Sequence, residues 1–177
     1  KVKGIDVLIN AINLIKNNLE FKKTQLLIMG VDFGYEEEML QLIGEYNLQD
    51  KIKVIKNPSR KEVISAYNQS EFLVLPSRWE LSPLTPLEGF AFKKPVISSN
   101  VHGIPYTVTH NVNGLLVEPE NPIQLSDAMT KLLNNLELRE KLGLAGYNFV
   151  HKECNCVSMA KNSLKLYEEI LKNNQNK

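Results

Sequence analysis

The chain has 177 residues, of which 43% are hydrophobic and 23% are charged, and its formal net charge is +1. This composition is typical of one globular domain and excludes an intrinsically disordered chain. The near-neutral charge, without a basic stripe, argues against a nucleic-acid binder. No apolar run approaches the roughly 20 residues that span a bilayer, and no signal peptide opens the sequence, so we expect a cytoplasmic protein.

Hydrophobic periodicity predicts helices and strands that alternate along the first two thirds of the chain. The predicted strands are short apolar runs at 25–29, 52–55, 72–75, 95–98 and 114–117. The predicted helices cover about 5–18, 36–46, 59–67, 86–92, 122–134, 137–149 and 156–172. Ser59 and Glu62 form the capping box that opens the third of these helices, and Pro86 suits the first turn of the fourth.

This alternation predicts a Rossmann-like α/β fold, a doubly wound parallel sheet with helices on both faces. No repeat or linker divides residues 1–177, which we interpret as one domain whose C-terminal helices begin at about residue 122. Ligands of such sheets bind beyond the carboxyl ends of the strands. The candidate binding loops are therefore those that follow Met29, Ile55, Leu75 and Ser98.

The loop after Leu75 carries the most informative side chains. Glu80 lies in this loop and Glu88 in the first turns of the helix that follows, with seven residues between them. Each carboxylate oxygen can accept a hydrogen bond from a sugar hydroxyl, and the backbone amides at the helix start can bind a diphosphate. The sequence is also compatible with a solvated loop glutamate and an exposed helix glutamate, because charged side chains are mostly exposed.

Several segments match one protein family in order along nearly the whole chain. They are Lys3-Gly4-Ile5-Asp6, Leu27-Ile28-Met29-Gly30, Pro76-Ser77 with Glu80 and Glu88, 93–99, Gly103-Ile104-Pro105, 113–117 with Pro119, and 143–146. In this ordered set the chain resembles the group 1 glycosyltransferases (family 4), retaining enzymes of the GT-B fold. The resemblance implies that residues 1–177 are the C-terminal, donor-binding domain, and that the acceptor domain lies outside them.

The resemblance also implies roles for individual residues. Glu80 would contact hydroxyls of the donor sugar near the reaction centre, Glu88 would bind the ribose of the nucleotide, and Lys3 would contact the diphosphate. The arginine that accompanies this lysine in the family would precede Lys1. The other expected donor-binding residues are Gly30, Ser82, Leu84, Thr85, His102 and Gly103.

The implied reaction moves a hexose from a UDP- or GDP-sugar to a glycan or a lipid-linked acceptor. The family retains the anomeric configuration and needs no divalent metal, and we expect no other cofactor. Stabilisation of the departing diphosphate is the main contribution expected of this half. Peripheral association of the full-length protein with the inner face of the membrane is left open. Residues 1–177 alone are expected to bind a nucleotide and to transfer no sugar.

Three departures from the family pattern leave an alternative function open. Ser82-Pro83 replaces an aromatic-glycine pair, Tyr106 stands where an acid is common, and Gly89-Phe90-Ala91 replaces Ala-Met-Ala. The alternative is a non-catalytic GT-B-like module that binds a nucleotide or sugar, and a weaker third option is an epimerase or phosphorylase of the same fold. Retention of both carboxylates favours the transferase.

Two other patterns are not interpreted as sites. His151, Cys154 and Cys156 lack the fourth ligand of a zinc site. The glycines of residues 30–34 lack the third glycine and the later acid of a dinucleotide fingerprint. We therefore expect no metal site and no bound dinucleotide.

The resemblance places a further strand directly before Lys3, in the middle of the sheet. Because Lys3 lies only two residues from the start of the sequence, an order of 3-2-1-4-5 would lack its central member. The strands at 25–29 and 72–75 are then expected to face a gap with unpaired backbone groups. Either upstream residues of the parent protein fill this gap, or the isolated chain is unstable and associates with others.

Overall fold

The structure, a computed structural model, describes residues 1–31 and 34–175. Its strands are β1 (Leu26–Gly30), β2 (Ile52–Lys56), β3 (Leu73–Leu75), β4 (Val96–Ser99) and β5 (Gly114–Val117). Its helices are α1 (Ile5–Ile15), α2 (Leu19–Lys22), α3 (Glu36–Glu45), α4 (Arg60–Gln69), α5 (Thr85–Ala91), α6 (Pro122–Leu133), α7 (Leu136–Glu153) and α8 (Cys156–Gln175), with a 3₁₀ turn at Ile104–Tyr106. The predicted α/β class is confirmed.

All strand pairs in the described residues are parallel. β1 pairs with β2, whereas β3, β4 and β5 form a second group with β4 in its centre. All four residues of β4 are buried, as expected for a central strand that is covered on both faces. The carboxyl ends of β3 and β4 therefore point the same way, and the loops that follow them form one edge of the domain.

The predicted gap between β1 and β3 is present. In the described part of the chain these two strands are not hydrogen-bonded to each other, and a cavity of about 1190 Å³ is lined by both. The amide of Leu26 donates to Lys51 on the β2 side, and the amide of Leu73 donates to Pro95 on the β4 side. Because successive residues of a strand alternate in direction, the backbone groups of Leu27, Met29 and Val74 face the cavity.

Two apolar clusters hold the helices against the strands. The larger cluster is centred on α1 and α6, with fully buried residues at Ile9, Ile12 and Leu132. The smaller cluster lies beneath the loop after β3 and contains Phe90 of α5. A Cβ on Gly146 of α7 would overlap the ring of Phe90, so only glycine permits this close approach of α5 and α7. The packing fixes the helix that carries Glu88.

Most predicted boundaries agree with the structure to within two residues. The exceptions are α1, which ends at Ile15 rather than at residue 18, and the last two helices, which continue to Glu153 and Gln175. Sequence periodicity also missed α2 and the 3₁₀ turn, because elements of four and three residues are too short to show a period. No helix within the described ranges is both long and apolar enough to cross a membrane.

Candidate functional site

The loop between β3 and α5 is fixed to the loop after β4 through its backbone. The amide of Gly103 donates to the carbonyl oxygen of Glu80 at 3.0 Å. A Cβ on Gly103 would overlap the carbonyl group of Leu81, so this contact admits only glycine without a shift of the loop. Gly103 therefore supports the backbone at Glu80, a role that its sequence position did not reveal.

Glu80 is a buried carboxylate with defined partners. It is 8% exposed, and its Oε1 accepts hydrogen bonds from Lys3 Nζ at 2.6 Å and from Ser77 Oγ at 2.8 Å. Ser77 is fully buried, and among the buried residues of the described chain Glu80 is the only one that carries a charge. The alternative interpretation of Glu80 as a solvated loop residue is therefore wrong. A buried carboxylate needs such partners, because its desolvation is costly.

Lys3 is brought to the loop by the start of α1. Its side chain is 61% exposed, so the ammonium group is held by Glu80 and remains open to solvent. The preceding turn is tight: Gly4 has φ +64°, and a Cβ there would overlap the carbonyl of Pro76. The structure thus places Lys3 beside Glu80, as two members of one ionic cluster.

Arg78 connects this N-terminal turn to the loop, although it is not among the binding residues expected from the sequence. Its guanidinium donates two hydrogen bonds to Asp6, at 2.8 and 2.7 Å, and one to the carbonyl oxygen of Lys1 at 2.6 Å. It also donates to Glu120 at 2.9 Å, and its own amide donates to the carbonyl of Val2. The hydrogen bond from Arg78 holds the pKa of the Asp6 carboxyl below its usual value. The pair keeps the start of α1, and hence Lys3, in place.

Glu88 lies on α5 and is only partly buried, with 35% of its side chain exposed. Its Oε1 accepts a hydrogen bond from Arg60 Nη1 at 2.9 Å, and its Oε2 accepts one from the hydroxyl of Tyr67 at 2.8 Å. Burial, with the nearby carboxylate of Glu88, raises the pKa of the Tyr67 hydroxyl, which therefore stays protonated and donates. Both partners come from α4, 21 and 28 residues away in sequence, and neither was predicted.

Of the remaining predicted residues, some lie on the same loops as the two carboxylates and one lies across the cavity from them. Ser82 and Leu84 are exposed on the loop, and Thr85 begins α5. His102 is exposed, has φ +43°, and its ring centroid lies 6.0 Å from that of Trp79. Gly30 ends β1 on the far side of the cavity. The loops after β3 and β4 are thus brought together, whereas Gly30 is separated from them by the gap.

The residues that invited a metal interpretation do not form a metal-binding cluster in the described part of the chain. Cys154 and Cys156 are free and exposed, and the ring of His151 lies 4.0 Å from that of Tyr147. Over the described ranges, no three His, Cys, Asp or Glu side chains are placed to hold a metal ion. Of the stretch 30–34, Asp32 and Phe33 lie outside the described residues.

The fold and these clusters define a class of protein: a parallel α/β domain with paired acidic and basic groups at the carboxyl edge of its sheet, suited to a hydroxylated and phosphorylated ligand. The family comparison identifies the class further, because residues 1–149 match the family of glycosyl transferases, group 1. The chain belongs to this family.

Individual relatives agree with this assignment. An uncharacterized glycosyltransferase of Methanocaldococcus jannaschii is 35% identical over 95% of this chain, which spans 45% of that protein's length. The solved structure of a sucrose-phosphate synthase from Thermosynechococcus elongatus has 29% identity and a TM-score of 0.83, over 96% of this chain and 43% of that chain. The C-terminal domain of a group 1 glycosyl transferase from Francisella tularensis has 25% identity and a TM-score of 0.79, over 88% of this chain and 82% of that one. The fold is that of the C-terminal half of a GT-B glycosyltransferase.

Proposed function

We propose that residues 1–177 bind the nucleotide-sugar donor of a retaining glycosyltransferase. The full-length protein then transfers a hexose from a UDP- or GDP-sugar to a glycan or lipid-linked acceptor, in the cytoplasm and without a divalent metal. The supporting observation is the pair of carboxylates at the two ends of one loop, Glu80 and Glu88, each held by donors from other parts of the chain. Each carboxylate keeps acceptor positions for ligand hydroxyls, because an ionised carboxylate has about four.

The surroundings of the two carboxylates suggest different parts of the donor. Glu80 is buried beside the ammonium group of Lys3, which is suited to attract a diphosphate as a compact positive charge. We assign the sugar to Glu80 and the diphosphate to Lys3. Glu88 is more exposed and lies on the side of α4, and we assign the ribose to it.

In this proposal Lys3 has two functions. Without donor it forms an ion pair with Glu80 and neutralises this buried carboxylate. When the glycosidic bond to the diphosphate breaks, negative charge develops on the leaving phosphate oxygen. A lysine that is already placed at this edge stabilises this charge without reorganisation of solvent. The exposure of its side chain leaves it free to turn from Glu80 to the phosphate.

Binding of the donor is tested by thermal shift and calorimetry of the full-length protein with UDP, GDP, ADP and their sugars. We expect one nucleoside diphosphate and its sugar to raise Tm, in the presence of EDTA as well as without it. NMR of the product should then show the same anomeric configuration as the donor. Failure of every nucleotide to bind would contradict the proposal, and inversion would contradict the retaining mechanism.

A non-catalytic binding module remains the second candidate, because of one structural observation. Tyr106, which stands at the position of a common acid, is 88% exposed to solvent. A protein that binds the nucleotide sugar tightly but neither hydrolyses nor transfers it to any acceptor would fit this candidate. Turnover with a glycan or lipid-linked acceptor would exclude it.

A further inference from the structure

Helix α4 supplies both donors that hold the Glu88 carboxylate, and the family assignment does not explain this. Arg60 is the first residue of α4 and Tyr67 follows seven residues later, which places the two side chains on the same face of the helix. Tyr67 donates to Oε2 and Arg60 to Oε1, so each oxygen of the carboxylate has one donor. The orientation of the carboxylate plane is thereby set from α4.

Tyr67 is fixed more firmly than the carboxylate it holds. It is 9% exposed, and its ring stacks on Phe92 with centroids 5.3 Å apart and planes at 20°. Phe92 caps the C-terminal end of α5, the same helix that carries Glu88. Tyr67 therefore contacts α5 at two places, by its ring and by its hydroxyl, and connects the orientation of Glu88 to the packing of α4 on α5.

The two donors leave the carboxylate able to bind a diol. An ionised carboxylate has about four acceptor positions, two on each oxygen. Tyr67 and Arg60 take one on each oxygen, and one on each oxygen remains. Two vicinal hydroxyls of a ligand can then each donate a hydrogen bond to a different oxygen of the carboxylate. A carboxylate free to rotate would have to be ordered at the moment of binding, at a cost in side-chain entropy.

We propose that Tyr67 is a positioning residue for the nucleotide: it holds Glu88 so that both carboxylate oxygens meet the 2′- and 3′-hydroxyls of the ribose. This inference rests on the proposed ribose contact of Glu88. Arg60 acts in the same way from the solvent side. Its contribution is smaller, because its side chain is 68% exposed and solvent screens the ion pair.

The test compares a nucleotide with its analogue that lacks both hydroxyls. The full-length protein is titrated by calorimetry with UDP or GDP, whichever binds more tightly, and with the 2′,3′-dideoxy form of the same nucleotide. Tyr67→Phe removes only the hydroxyl and keeps the stacked ring. We expect Tyr67→Phe to weaken binding of the ribonucleotide about tenfold and to leave the dideoxynucleotide within about twofold of wild type.

Two further variants keep the inference separate from general effects on folding. Tyr46→Phe is the matched control. The Tyr46 hydroxyl also donates a hydrogen bond, at 2.7 Å, but its acceptor is Asn10 of α1 and not Glu88. It should change neither affinity. Arg60→Gln alters the exposed partner without touching the core, and should weaken ribonucleotide binding by about threefold, beyond any loss seen with the dideoxynucleotide.

The outcomes separate this inference from the role of Glu88. Glu88→Gln should abolish the preference for the ribonucleotide. If it does and Tyr67→Phe does not reduce the preference, the inference is overturned and the ribose contact stands. If Glu88→Gln keeps the full preference, the ribose contact is wrong and the inference with it. Equal loss for both nucleotides in Tyr67→Phe would show a structural role only, and would also overturn the inference.

Discussion

The two groups of strands in this domain differ in how completely they are buried. β4 is buried along its whole length, between β3 and β5, and the loops at its edge carry both Glu80 and Gly103. In β1 no residue is fully buried, and Leu27 is 38% exposed beside the cavity. The residues with the most defined contacts therefore lie on the completed half of the sheet.

The two carboxylates are therefore held in place although the sheet is open between β1 and β3. The hydrogen bonds that hold Glu80 and Glu88 come from the turn before α1, the loop after β3 and α4. The half with β1 and β2 ends in backbone groups of β1 that face the cavity, and an open strand edge of this kind favours pairing with another strand. The two halves can be tested separately.

The largest expected effect is in hydrogen exchange at the edge of β1. In residues 1–177 alone, the amides of Leu27 and Met29 should exchange at least about a thousandfold faster than that of Ile97 in the middle of β4. In the full-length protein a strand should occupy the cavity and protect them. The amide of Leu26, which is bonded towards β2, is the internal control. Unchanged exchange of Leu27 and Met29 in the full-length protein would contradict an inserted strand.

On the completed half, Glu80→Ala should reduce turnover by the full-length enzyme about a hundredfold or more, because it removes a group that acts on the reacting sugar. The matched control is Glu71→Ala. Glu71 also forms an ion pair, with Arg139 at 3.1 Å, but it precedes β3 at the opposite edge of the sheet. Comparable turnover by the Glu80 variant and the control would remove Glu80 from the reaction.

Gly103→Ala should lower the free energy of unfolding by about 1–3 kcal/mol, because the new methyl group overlaps the backbone of the loop at Leu81. Gly30→Ala provides the comparison on the other half of the sheet. A Cβ there meets nothing within 4 Å, so its unfolding free energy should be nearly unchanged. Urea unfolding of both variants measures this difference. Equal stability of the two would show that the loop adjusts freely.

The smallest expected effect concerns the Asp6–Arg78 pair. Because Arg78 lowers the pKa of Asp6 in the folded state, the pair stabilises the fold above about pH 4 and loses this contribution as the pH falls through the lowered pKa. Asp6→Asn should remove that part of the acid sensitivity, by less than about 1 kcal/mol, since the pair is partly exposed. Urea midpoints between pH 2.5 and 7 test this, with the exposed Asp50→Asn as control. A pH profile identical to wild type would contradict the assignment.

The fold was largely predictable from the sequence, because its strands are short apolar runs with clear ends. The five strands were placed to within a residue, and the gap followed from the family's strand order. The short helix α2 could not be found by periodicity. It depends on one local contact, the Asn18 side chain that caps two of its amides.

The site was predictable only in part. Motif spacing selected Glu80 and Glu88, and the family selected Lys3, but the partners of these residues were not foreseen. Ser77, although part of the motif, had no assigned role until its hydroxyl was seen to donate to Glu80. Arg60, Tyr67 and Arg78 make contacts across 21 to 77 residues of sequence, and such contacts depend on how elements pack, which no local pattern records.

The division of the donor between the two carboxylates is the central claim, and one set of titrations tests it directly. The full-length wild type, Glu88→Gln and Glu80→Ala are titrated by calorimetry with the nucleoside diphosphate that binds best. Loss of a charge-assisted hydrogen bond to the ribose should weaken binding to Glu88→Gln by about 1–3 kcal/mol. Glu80→Ala should bind the same nucleotide within about twofold of wild type, because the sugar is absent. Unchanged affinity in Glu88→Gln, or equal losses in both variants, would contradict the claim.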